Sequence, residues 1–498
     1  MLFLGVDIGT STIKATVLNE LGDIMTSYKS KVRVLNPQPG FYEVDPIASW
    51  WRGFVDILRK ISEDVDLSEI ISICLSSVCG SFVPVNDYFD PLYNAILYGI
   101  DKRSSSLVSK LNDRFSENYL TSKLGSSFTT HSVLPKILWL KKNARDVYER
   151  TKFFVESVNF ITGKLTGQAA WDLPTAAGCQ LIDLHRLHYP VEILESMDLD
   201  INKFPKLIWP LQPLGVVTEK AAKETGLKKG TMVLAGACDI NAEAVSCEAI
   251  NPGDLLVVLG STVSILLTLE KLNFKKGFVS GVSIIPGQYR LGGATSSGGR
   301  FVNQMTKLIA SIAEFPPYET KLFPTGLIML PYLDGARCPY HNPNALGTIY
   351  GLSSNTSPTD LYLAVRESLG FELAVILRKL EEYLKQSKTI YVTGGLSKDK
   401  LLLQVMSNIT GMIIKTYPNV DASFGDAVMA MTAYMPLEKA LEIRFSCSQV
   451  ESGASIFPDE KLHDIYAHFV RKYEALYEAL LGVFESSGRF NHTNDACD

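Results

Sequence analysis

Short apolar runs rich in β-branched residues alternate along the chain with longer stretches whose apolar positions recur every three or four residues. That is the pattern of buried strands interleaved with amphipathic helices. The runs at 71–77 (ISICLSS), 231–237 (TMVLAGA), 326–333 (GLIMLPYL) and 389–395 (TIYVTGG) predict strands. Residues 360–386 and 398–411 predict helices, and in the first of these Leu363, Val365, Leu369, Leu373, Ile376 and Leu380 form a helical stripe. A closing helix over 458–487 is expected to bury Leu462, Ile465, Phe469, Tyr473, Leu476, Leu480 and Phe484, and the residues after it, GRFNHTNDACD, read as a frayed tail. The organisation predicted is α/β.

Near the start, apolar residues 2–6 and 13–18 flank a polar stretch, Asp7 to Thr12, that carries an acid, a glycine and three hydroxyls. Gly9, Thr10 and Ser11 make a turn that aims backbone N–H groups and hydroxyls out of a sheet end, a concavity suited to phosphate. Lys14 adds positive charge, and Asp7, at the end of the first strand, can hold a divalent cation through water. A tight hairpin with an acid near its end is the alternative the turn alone leaves open. The pattern returns in 253–270, GDLLVVLGSTVSILLTLE, where Gly260, Ser261 and Thr262 separate two apolar strands. Gly9 and Gly260 stand 251 positions apart in a chain of 498, so two halves of one plan are expected. Val258 occupies the place of Asp7, so only the first turn brings a carboxylate. The expected division is an N-terminal domain 1–247 and a C-terminal domain 248–498, with the boundary near 245–252.

A chain of this length exceeds one core, which agrees with two large domains. With 46% hydrophobic and 20% charged residues and a formal charge of −5, it has no electrostatic footprint for nucleic acid. No run is long enough to span a membrane, and the first residues lack the basic segment of a signal peptide, so a cytoplasmic protein is expected. The eight cysteines include no C-x-x-C pair and are expected to be reduced thiols, neither a disulfide framework nor a zinc site. His185 and His188 read as a solvated loop, and the sequon at Asn491 as chance.

Neither G-x-x-x-x-G-K-[ST] nor a strand-linked G-x-G-x-x-G occurs. In YVTGGLSKDK a strand ends at Gly394 and Gly395 ahead of a helix, which lets a flat ring or ribose lie against backbone near free N–H groups. In LAGACDINAEAV a strand ends in small residues and Asp239 stands where a helix begins. Two compatible roles are open to it: a helix cap, or a carboxylate that accepts a proton from a substrate hydroxyl.

Taken in order, these stretches resemble the FGGY carbohydrate kinases of the actin, sugar kinase and Hsp70 superfamily. The resemblance runs through GVDIGTSTIKATVLNELGDI, YEVDPIASWW, PLYNAILYGIDKRS, LPKILWL, ITGKLTGQAAWD, AGACDINA, LGSTVS, GGATSSGG, PYLDGARCP and VTGGLSKDKLLLQVMSNITGM. It implies two RNase H-like domains around a central cleft, with ATP and Mg²⁺ as cofactors and a small sugar as partner. Asp239 is implied as the general base and Asp7 as the residue that positions magnesium. Thr10, Ser11 and Lys14 would approach the transferred phosphate, Gly260, Ser261 and Thr262 would contact it from the other domain, and Gly394 and Gly395 would flank adenosine. Asp101 and Arg103 fall in the sugar domain, Asp101 as a hydroxyl ligand.

The chain departs from the family pattern at the acceptor loop. Cys79 stands where many relatives have Gln, followed by Gly80 and Ser81 where xylulose kinases usually have Met-His and glycerol kinases Arg-Glu, and Tyr98 replaces the usual Trp. The nearest branch implied is the xylulose kinase-like one, with a ketopentose such as xylulose as acceptor; another ketose, gluconate or a polyol such as glycerol are alternatives within the class. A regulatory ATPase of the actin and Hsp70 type is the alternative outside it, and AGACDINA and YGIDKRS, which such a module does not need, stand against it. The oligomeric state is open, with a homodimer as one candidate.

Overall fold

Leu2–Ile8 is buried at every position, as suits a strand in a sheet covered on both faces. Thr12–Asn19 runs antiparallel to it with Asp7 opposite Lys14, and Ile24–Lys31 adds a third antiparallel strand. On its other side Leu2–Ile8 pairs in parallel with Ile70–Ser77, which pairs in parallel with Met232–Leu234 and Ala237–Cys238. Pro213–Val216 closes that edge antiparallel. The computed structural model describes residues 1–311, 324–384, 387–417, 420–446 and 454–486.

The second half repeats the plan. Leu255–Leu259, Val263–Leu269 and Tyr289–Ala294 are antiparallel neighbours, and Thr389–Thr393 and Ile413–Thr416 follow in parallel on the other side of Leu255–Leu259. Ala454–Ile456 lies antiparallel at one edge and Val279–Val282 at the other. With the edge strands Pro213–Val216, Val279–Val282 and Ala454–Ile456 set aside, both sheets run third, second, first, fourth, fifth, so the repeat glimpsed in two short turns extends to the central sheet of each half.

After its fifth strand each half sends out a helix, Asp239–Ser246 in the first and Ala422–Met431 in the second. The two cross at the centre of the molecule. A Cβ at Gly425 would lie 2.0 Å from Ala242 O, and one at Gly5 2.1 Å from Ala427 N, so glycine alone permits helix to meet helix and helix to meet the first sheet this closely. A hydrogen bond between the Thr16 and Ser423 hydroxyls at 2.8 Å and one from Ser72 Oγ to Ala430 O at 2.6 Å fix the second helix on the first sheet. A helix from the second half is therefore packed on the first sheet.

Several expected elements shift at their ends. The run 231–237 breaks at Gly236, whose φ of +85° splits it into Met232–Leu234 and Ala237–Cys238. The helix expected at 360–386 spans Pro358–Lys379 and opens with a capping box between Ser357 and Asp360. The closing helix is Glu460–Ala479 followed by Leu481–Ser486, and its buried side is Tyr466, Val470, Tyr473, Tyr477 and Phe484, whereas Ile465 is exposed. The expectation weighted aliphatic residues, but here tyrosines pack as the core: Tyr477 stacks on Tyr340 at 3.7 Å and Tyr473 hydrogen-bonds Tyr332 at 2.8 Å. The tail from 487, with Asn491 and Cys497, and Cys447 lie outside the described residues. Among the described residues no helix is long and apolar enough to cross a membrane.

Candidate active site

Asp7 ends the first strand with only 8% of its surface exposed, and its Oδ1 is buried without a hydrogen-bond partner. Burial, together with the charges of Asp239, Asp421 and Glu243, holds its carboxyl well above the usual range, with Lys14 opposing. Lys14 reaches from the second strand to Asp421, 3.1 Å away. Burial works against the charge of this ammonium, yet Asp421 and Asp7 raise its pKa. Asp421 caps the crossing helix Ala422–Met431 through the Ser423 and Phe424 N–H groups. One turn on, Asp426 is fully buried, accepts from Ser76 Oγ at 2.6 Å, and has its Oδ1 unpartnered. Burial pushes this carboxyl well up as well.

Asp239 is half-buried on the opposing helix. The cap of that helix is Cys238, which uses no side-chain hydrogen bond; Asp239 is the first helical residue, and its Oδ1 accepts from Ile240 N at 2.7 Å. The capping role left open by the sequence is thus not the one the side chain takes. Burial pushes its carboxyl up to about 6. Glu243, one turn later on the same face, accepts from Thr393 Oγ1 at 2.7 Å, and burial with the nearby Asp421 and Asp239 charges raises it to about 7. Asp7, Asp239, Glu243, Asp421 and Asp426 therefore converge with one lysine, and the excess of negative charge, with two orphaned carboxylate oxygens, fits a divalent cation.

The hydroxyl-rich turns flank this cluster. Gly9 N donates to Thr12 O at 2.9 Å and Gly260 N to Thr262 O at 3.0 Å, which leaves Thr10, Ser11 and Ser261 at the tips, Ser11 and Ser261 exposed. Gly298 and Gly299 begin a helix directly against the second turn, with Gly299 N donating to Gly260 O at 2.8 Å. Gly394 has φ +94° and would place a Cβ 2.7 Å from Leu259 O, whereas nothing lies within 4 Å of a Cβ at Gly395, which faces open space.

The acceptor loop sits across from the first turn. Thr10 Oγ1 donates to the Tyr98 hydroxyl at 3.3 Å, and a small cavity is lined by Gly9, Thr10, Ser81, Tyr98 and Ser157. Gly80 has φ +93°, and a Cβ there would meet His131 O at 2.9 Å. Lys136, fully buried, donates to Leu97 O at 2.6 Å and Gly80 O at 3.3 Å, and burial pushes its ammonium down to about 7. Cys79 is half-buried with its Sγ 3.3 Å from Cys179 Sγ, a contact between two cysteines distant in sequence. His185 and His188 are exposed, as a solvated loop should be.

Asp101 stands apart from the other predicted residues. It is 0% exposed, and its oxygens accept from Tyr42 N at 2.7 Å and from Arg103 Nε and Nη2 at 2.9 Å. Arg103 in turn reaches Glu43 at 2.8 Å and lies between the Phe41 and Trp139 rings. The Asp-x-Arg pair thus builds the wall of the domain, and a hydroxyl-binding role for Asp101 finds no free oxygen in this packing. Glu243, Asp421, Asp426 and Thr393 were missed. The i, i+4 spacing of Asp239 and Glu243 was a usable signal, whereas nothing local tells that Asp421 and Asp426 cross to the other half.

Comparison with known proteins agrees with this architecture. The model for the N-terminal domain of the FGGY family of carbohydrate kinases matches residues 2–246, and that for the C-terminal domain matches 255–434. A xylulose kinase of Staphylococcus xylosus is 24% identical, covering 95% of this chain and 99% of the relative, and one of Escherichia coli strain K12 is 23% identical over 96% and 99%. Among solved structures, a xylulose kinase from Rhodospirillum rubrum superposes with a TM-score of 0.89 at 22% identity, covering 97% of this chain and 100% of that one. A gluconate kinase from Lactobacillus acidophilus gives 0.88 at 22% identity, covering 97% and 99%. With both halves of the chain matched in order and the cleft built as described, the protein belongs to the FGGY family of carbohydrate kinases.

Proposed function

We propose that the protein transfers the γ-phosphate of ATP to a hydroxyl of a ketopentose, with xylulose the favoured acceptor, and that residues 1–247 and 248–498 are its two working domains. The observation that carries the reading is Asp239, half-buried at the head of a helix in the cleft with its carboxyl raised to about 6. A base of that strength is ionised at neutral pH yet able to share a proton with an attacking hydroxyl. Asp7, with its unpartnered oxygen, and Asp426 would hold Mg²⁺, which supplies charge neutralisation at the phosphates when bound. Lys14 and the turns at Thr10–Ser11 and Gly260–Thr262 orient the transferred group, and Gly395 offers backbone against which adenosine can lie. Catalysis in such a site is mainly positioning and electrostatics.

The acceptor reading is supported by the xylulose kinase relatives. Each polar group left dry by a shorter acceptor costs roughly 1–3 kcal/mol, so kcat/KM for the best ketopentose is expected to exceed that for glycerol by at least ~10²-fold. Steady-state kinetics on xylulose, ribulose, gluconate and glycerol test this, and a preference for glycerol overturns it. Asp239→Asn is expected to lower kcat by ~10²- to 10⁴-fold with nucleotide binding retained. Near-normal turnover in the folded variant would remove Asp239 from the chemistry.

A further inference from the structure

Three ligating side chains meet at the acceptor end of the cleft, each from a different element. Cys79 follows the strand Ile70–Ser77, His131 precedes the helix Val133–Asn143, and Cys179 ends the helix Leu173–Gly178. One donor atom from each of Cys79, His131 and Cys179 lies within 4.8 Å of the others. Gly80 brings the loop onto the imidazole: its Cβ position is 3.1 Å from His131 Nε2, so any larger residue would push the two apart.

We propose that Cys79, His131 and Cys179 form a three-ligand zinc site that excludes the acceptor sugar when filled. The donor set of thiols and one imidazole is what a d¹⁰ cation of borderline softness selects, while Mg²⁺ prefers the oxygen cluster beside it. Tetrahedral coordination needs sulfurs about 3.8 Å apart. The observed 3.3 Å between Cys79 and Cys179 reaches that by a small opening of the pair. Binding releases the thiol protons to solvent.

The test is an anaerobic titration of the full metal-free chain with Co²⁺ in a non-chelating reductant. The expected result is a thiolate-to-cobalt charge-transfer band with the visible envelope of a tetrahedral site, saturating at one ion per chain and displaced by Zn²⁺. Cys79→Ser and Cys179→Ser should each lose most of that band, while Cys74→Ala, at a buried cysteine outside the group, keeps it. Circular dichroism establishes that each variant is folded. Absence of the band, or its persistence in both serine variants, overturns the site. This arm needs no turnover, so it fails separately from the kinase reading. The exclusion of the acceptor rests on that reading: Zn²⁺ should raise the acceptor KM in the wild type and not in Cys179→Ser, each compared with its own zinc-free rate. Equal inhibition in both would assign the effect to the carboxylate cluster and overturn the inhibitory role.

Discussion

The two hairpins have the same backbone plan and opposite electrostatics. In the first, Asp7 faces Lys14 across the ladder, beside the crossing helix that brings Asp421 and Asp426. In the second, Val258 faces Ser264, and the turn is backed by the glycines that start the helix Gly299–Ala310. Duplication supplied two cradles of hydroxyls and N–H groups, but charge was placed in one only. A single cation between two phosphate cradles needs that asymmetry, because a second carboxylate facing the same anion would repel it. On the function proposed above, the first hairpin would handle the metal and the second would handle phosphate without charge.

The largest expected effect breaks this comparison at its charged end. Asp7→Asn should shift the Mg²⁺ dependence of turnover to higher concentration and lower the rate at saturating ATP by ~10²-fold, the scale for loss of one preorganised electrostatic group. Val258→Ala, at the matching place, should leave the magnesium titration where it is. Equal shifts in the two variants would mean that the hairpins share the metal.

A second effect follows from pH. The cluster is built of like charges under burial, with Asp239 at about 6 and Glu243 at about 7. A base must be deprotonated to act, so kcat/KM should rise about tenfold per unit below pH 6 and level off above about 7. The wild-type profile should lose its limb near 6 in Asp239→Asn; a limb that stays would belong to another group, with Glu243 the first to examine.

How much of this was legible depended on whether a property is local. Strand, turn and strand around Gly9 and Gly260 are decided within a dozen residues, so both hairpins and their repeat could be read directly. Asp239 could be placed at a helix start for the same reason. The crossing helix could not: DASFGDAVMAM reads as an apolar helix of its own half, and only the close approach at Gly5 and Gly425 shows that it belongs on the other sheet. The same limit hid the cysteines, since Cys79 and Cys179 are a hundred positions apart and meet only through the packing of Leu173–Gly178. Asp101 misled in the other direction, because a motif match cannot tell a carboxylate that faces a cleft from one that an arginine consumes.

The paired glycines after Thr389–Thr393 sharpen the comparison at the uncharged end. Gly394→Ala forces a side chain at φ +94° into the Leu259 backbone and should destabilise by about 1–3 kcal/mol, seen as a lower Tm. Gly395→Ala meets nothing within 4 Å, so it should melt like the wild type while raising the KM for ATP, because the new methyl group occupies surface offered to adenosine. A normal nucleotide KM in the folded Gly395→Ala variant would place adenosine elsewhere.

The smallest effect concerns stability, and its sign separates a site built for a cation from one built for folding. The Asp7 carboxyl is raised in the folded chain by burial and by Asp239, with Asp421 and Glu243 adding to it. Between the ordinary carboxylate pKa and this higher value the folded state binds more protons than the unfolded one. Its contribution is therefore fully present below pH ~4 and is lost as the pH rises through the folded value. Asp7→Asn removes a charge that the fold holds at a cost. In metal-free buffer at pH 8 the variant should melt a few degrees above the wild type, a gain that shrinks as the pH falls toward 4. Mg²⁺ binding should raise the wild-type Tm and narrow the gap, since a ligand of the native state stabilises by mass action. The second hairpin offers the mirror experiment. Val258→Asp places an acid where Ser264, not a lysine, stands opposite, so it should lower the Tm at pH 8 and lose less at pH 4. If Asp7→Asn instead melts below the wild type in the absence of metal, Asp7 is a structural partner of Lys14 and the two hairpins differ in packing, not in chemistry.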